Sequence, residues 1–145
     1  MKKAFFLFSM ISVLVLNSCS IDSDEPSFYV ETLPVASVDL PTEFVYGQSH
    51  DIIVNYYRPT NCHEFNNFLI NTDGNQRTIA VLNTVYTSNN CSTLIDTGNN
   101  SNGELVSATL SLNITSTDTY VFSFYQGTNA NNIDQFLVIE VPVIQ

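Results

Sequence analysis

The sequence holds only four basic residues, Lys2, Lys3, Arg58 and Arg77, against fourteen Asp and Glu in 145 residues, a formal charge of −10. Nucleic-acid affinity comes largely from Lys and Arg neutralising phosphates, so DNA and RNA are excluded as partners. No apolar run reaches the ~20 residues that a membrane-spanning helix needs. Tryptophan is absent, no apolar stripe recurs at helical spacing, and no GxSxG elbow exists to activate a serine. With two histidines and three cysteines, material for a metal site is scarce as well.

What is present begins with a signal. Lys2 and Lys3 precede an apolar run from Ala4 to Leu16 broken only by Ser9 and Ser12, the anatomy of a signal peptide over residues 1–18. Leu16-Asn17-Ser18-Cys19 resembles the lipobox of bacterial lipoproteins. That resemblance implies cleavage before Cys19 and acylation of its sulfur and amino group, by chains such as palmitate. The next stretch, SIDSDEPS, carries Asp22, Asp24 and Glu25 and is too polar to bury itself, so residues 19–27 read as a solvated tether. It resembles the acidic patch that accompanies export of Bacteroidota lipoproteins to the outer face of the outer membrane. Removal of the signal leaves two arginines against fourteen carboxylates, a balance of −12.

Residues 28–145 predict one all-β domain, a single antiparallel β-sandwich of about seven strands. Ala108, Leu110, Leu112 and Ile114 alternate with polar residues, Tyr120, Phe122 and Phe124 share a face, and so do Ile52, Val54 and Tyr56. Each pattern is that of a strand with one face in the core. RTIAVLNTVY and FLVIEVPVI are more continuously apolar, as strands covered on both faces are. Asp73-Gly74 marks a hairpin turn.

Asp118, two residues before Tyr120 in TSTDTYVFSF, resembles the tyrosine corner of immunoglobulin-like domains, which implies an Ig-like sandwich. The departures are Phe122 where antibody domains carry a second cysteine, and the missing tryptophan. Strand directions then place the loops 59–65, 88–103 and 126–133 at one end. Cys62 and Cys91 arrive there together, and in an oxidising compartment they predict a disulfide. If 28–40 is one strand its start lies at that end too, unless Pro34 splits the strand and reverses it.

Candidate chemistry is thin. Leu94-Ile95-Asp96-Thr97-Gly98 resembles the catalytic turn of an aspartic protease, yet no later turn and helix support it, and the chemistry needs two aspartates sharing a proton. Asp96, Asn100, Asn102 and Glu104 depart from calcium-loop spacing. His50 and His63 read as surface histidines rather than bases. No catalytic residue, cofactor or metal is therefore expected. As a whole, with YGQSHDIIVNYYRPTNCHEF typical of them, the chain resembles small lipoproteins of flavobacteria that carry one Ig-like or sandwich domain, many without assigned function. The resemblance implies an outer-membrane location and says little about activity, so the leading reading is a non-enzymatic, lipid-anchored module of the outer membrane, exposed on the cell surface, that binds a protein or glycan or supports an envelope assembly. The alternative is a glycan-binding accessory of polysaccharide uptake, stacking sugars on Tyr57, Tyr86 or Tyr125, with a small hydrolase as a third class.

Overall fold

The computed structural model describes residues 27–87, 90–95 and 103–145; the expectations at Cys19, at the rest of 1–26, and at Asp96, Asn100 and Asn102 lie outside them. Two β-sheets pack face to face. The large sheet joins β1 (Phe28–Leu33), β5 (His63–Asp73), β6 (Gln76–Tyr86), β8 (Tyr120–Thr128) and β9 (Asp134–Val141). The small one joins β2 (Val35–Asp39), β4 (Ser49–Arg58) and β7 (Glu104–Asn113), and a two-residue pair links β3 (Phe44–Val45) to β10 (Val143–Ile144).

The period-two patterns locate the core. Ile52, Val54 and Tyr56 of β4 and Ala108 of β7 face Ile79 and Val81 of β6 and Tyr120, Phe122 and Phe124 of β8, all buried. The three β8 rings stack at 6.3 and 5.9 Å between centroids. Phe44 meets Tyr120 and Phe122 edge-on at about 6 Å, the geometry that aromatic quadrupoles favour. The hydroxyl of Tyr120 accepts the Thr115 N–H at 3.2 Å, and the Arg77 guanidinium sits 5.3 Å from its ring centroid.

Two features exceed the expected plain antiparallel meander. Pro34 divides the first strand, because a residue without an N–H breaks the ladder. β1 lies in the large sheet and β2 in the small one, with Leu33 and Val35 both buried on either side of the proline. The split does not reverse the chain, since β1 and β2 run antiparallel to β6 and β4 respectively. Thr87 N–H also binds the Ser27 carbonyl at 2.8 Å, so the chain enters the domain at the loop end.

The second feature is that β6 runs parallel to β8, through Gln76↔Val121 to Ile79↔Phe124. In an immunoglobulin sandwich the strand that crosses to the second sheet lies antiparallel beside the penultimate one. Here that strand, β5, takes the edge, and its hairpin partner β6 takes the inner place. The β5–β6 turn has Gly74 first with φ 56°, where a type II′ hairpin needs glycine. One edge of β6 is thus shared: β8 pairs with residues 76–79 and β1 with 81–86, and the handover falls at Ala80.

Candidate functional site

Two places gather side chains that could do chemistry. The first is the loop end. Cys62 and Cys91 form a disulfide with a Cα separation of 5.5 Å, which ties the β4–β5 loop to the segment after β6. Beneath it His63 is 5 % exposed, in contrast to the surface histidine the sequence suggests. Pairing with Val85 turns it inward, and its polar partners explain why it can be buried. Nε2 lies 2.9 Å from a Glu31 carboxylate oxygen and Nδ1 lies 2.7 Å from the Thr60 hydroxyl.

Hydroxyl, imidazole and carboxylate stand here in the order of a nucleophile, a base and its orienter. Among the described residues the rest of an acyl-transfer site does not accompany them. The Thr60 oxygen already accepts the Cys62 N–H at 3.2 Å, and the neighbouring amides are spent inside the loop. Asn61 N–H goes to the Ser92 carbonyl, His63 N–H to the Thr60 carbonyl, and Leu94 N–H to the Pro59 carbonyl. An oxyanion hole needs such donors free and converging on one point. The chain Thr60–His63–Glu31 fastens a turn.

The cluster continues inward. The Tyr56 hydroxyl approaches the buried Asn83 amide oxygen at 3.5 Å, and burial raises the Tyr56 pKa above its ordinary 10.0, opposed by that hydrogen bond and by Arg58. Arg58 pairs with Glu104, so the one described member of the candidate calcium set already has a cation. Among the described residues no three His, Cys, Asp or Glu gather as metal ligands. His50, also expected at the surface, is half-buried and its Nε2 accepts the Val45 N–H at 3.0 Å. Asp118 is exposed, and its backbone N–H donates to the Ser116 hydroxyl; no bond joins its carboxylate to Tyr120.

The second place is a groove of about 310 Å³ on the outer face of the large sheet, lined by Thr32, Leu69, Asn71, Thr78, Ala80, Tyr125, Asp134 and Phe136. Its origin is the shared edge of β6. Where β1 gives way to β8 the outer surface dips, and Ala80, the smallest side chain on that face of β6, floors the dip. The rings of Tyr125 and Phe136, paired across β8 and β9, meet at 64° with centroids 6.0 Å apart and form a wall.

Of the three tyrosines singled out in the sequence, only Tyr125 lines this groove. Tyr86 packs near Phe28 at 6.2 Å and borders a second depression, of about 510 Å³, over His63 and Cys91. Tyr57 lies on the opposite sheet, across from Leu105. Sequence reasoning missed Phe136, Asn71 and Thr32, and also Glu31 and Thr60. The one signal available was the uninterrupted FLVIEV run, which predicts cover on both faces of β9, whereas Phe136 and Val138 are 41 % and 57 % exposed. Comparison with known proteins finds no matching family model, no matching curated protein and no matching solved structure.

Proposed function

We propose that this chain is a non-enzymatic, lipid-anchored module of the bacterial outer membrane, displayed on the cell surface, that binds a ligand or supports an envelope assembly. The observation that carries the reading is the run from Lys2-Lys3 through the short apolar segment to Leu16-Asn17-Ser18-Cys19, followed at once by Asp22, Asp24 and Glu25. Two or three acyl chains, each buried CH₂ contributing ~0.8 kcal/mol, hold a protein stably where one does not. The acidic domain adds no attraction to anionic lipid. The nine residues from Cys19 to Phe28 reach at most about 30 Å, and β1 starts at the loop end, which supports an orientation with the disulfide loops toward the membrane and the sheet faces left for recognition. The two-sheet packing and the Tyr120–Thr115 bond favour an Ig-like assignment, from which the parallel β6–β8 pair departs.

Against a hydrolase stands the loop end, where the amides beside Thr60 are consumed by the loop itself. A glycan-binding accessory is the second reading, favoured by the wall of half-buried Tyr125 and exposed Phe136. The test is Cys19→Ser: it should block maturation or release the protein from the membrane. A variant that is correctly cleaved and still fractionates with the outer membrane overturns the anchor.

A further inference from the structure

The outer face of the large sheet is unusual for a solvated face. Phe28, Val30, Leu69, Phe136 and Val138 are all exposed on it, and in the groove that interrupts this surface polar and aromatic side chains alternate. Thr32, Asn71, Thr78 and Asp134 make no side-chain hydrogen bond to any other described residue, although they converge on one concavity. Carboxylate, amide and hydroxyl groups beside ring surface can receive a ligand with many hydroxyls and an apolar C–H face.

We infer that this groove is a binding site for a neutral saccharide. In that site Tyr125 and Phe136 pack against a sugar ring and Asn71, Thr78, Thr32 and Asp134 hydrogen-bond its hydroxyls. The inference rests on the binding-module reading and gives it a ligand class. An anionic glycan is disfavoured because Asp134 is the only charged side chain in the lining and both described arginines are committed elsewhere. Arg58 pairs with Glu104, while Arg77 holds the Gly74 and Gln76 carbonyls. A wholly apolar ligand would bury the four polar side chains without partners, which is costly. At about 310 Å³ the groove is at the small end of ligand sites, which run from roughly 300 to 1,000 Å³, so it suits one or two sugar rings rather than a long chain.

The experiment uses the full chain extracted from its host membrane in detergent. It is titrated calorimetrically with neutral oligosaccharides (β-glucan, mannan, arabinoxylan) and with polygalacturonate and sulfated galactan as anionic counterparts. We expect a neutral member to bind and the anionic ones to fail. Tyr125→Ala and Asn71→Ala should each weaken binding about tenfold, the scale of one ring contact or hydrogen bond. Ala80→Leu, which fills the floor, should abolish it, and Tyr57→Ala on the other sheet should leave it unchanged. If Ala80→Leu does not fold, Tyr125→Ala and Asn71→Ala decide. Binding untouched by both, preference for the anionic glycans, or no binding by the wild-type chain overturns the inference. The two readings fail separately: a protein anchored through Cys19 that ignores every sugar sinks only the groove, and an unanchored one that binds through Tyr125 sinks only the anchor.

Discussion

Both faces of the large sheet carry large apolar side chains, yet only one is packed. Inside, Tyr120, Phe122 and Phe124 stack and Phe44 closes on them edge-on, each completely buried. Outside, Leu69, Phe136 and Val138 sit at 41–57 % exposure with nothing described above them. Similar side chains serve stability on one face and stay available on the other, so composition alone says little about which contacts hold the fold. Several large apolar side chains exposed on one face mark an interaction site more often than an isolated exposed leucine does.

Mutation can test that contrast. Phe122→Ala removes a ring from the middle of the stack and should lower unfolding free energy by about 3–5 kcal/mol in urea titrations. Replacing Cys62 and Cys91 together by alanine opens a 29-residue separation and should cost ~3–4 kcal/mol, chiefly by freeing the unfolded chain. Tyr120→Phe keeps the packing but removes the hydrogen bond to the Thr115 N–H, and a loss of about 1 kcal/mol is expected. Val138→Thr, on the outer face, should stay within about 0.5 kcal/mol. A loss there as large as that of Phe122→Ala would mean that both faces are structural.

The loop-end cluster offers a pH test of the interior. Because burial holds the Tyr56 phenol above its ordinary 10.0, the folded state keeps that proton more tightly than the unfolded chain does. The contribution is whole below pH ~10 and is lost as pH rises through the folded value. Stability measured from pH 8 to 12 should therefore fall at the alkaline end, and Tyr56→Phe should flatten that fall.

Much of the packed face was legible because strand period and core position coincide: the alternating residues of β4, β7 and β8 point where their pattern says. The outer site was not. Phe136 reads as one more apolar residue in a covered strand, and only the register that pairs it with Tyr125 and leaves β9 at the edge turns it into a wall. Glu31 and His63 are 32 positions apart, and nothing local announces that β1 and β5 flank β6 so as to bring them together. The strand exchange at Pro34 was half visible, since proline signals a break without saying which sheet receives the next strand. The parallel β6–β8 pairing had no local signature, as it depends on which strand takes the edge.

The shared edge of β6 also bears on how the domain assembles in time. Among the partners of β6 only β5 is its neighbour in sequence, joined to it by the two-residue turn at Gly74. The other two partners of β6 come from opposite directions along the chain: β1 begins at Phe28, far before the hairpin, and β8 ends at Thr128, far after it. Neither pairing compensates its loop-closure entropy until a long stretch has been brought round, which is the condition that makes folding slow. Refolding of the disulfide-intact domain should accordingly fall in the range of roughly milliseconds to seconds typical of non-local β topologies. Substitutions in the Asp73-Gly74 turn should alter that rate more readily than substitutions in β9, whose place is fixed only once β8 has found β6.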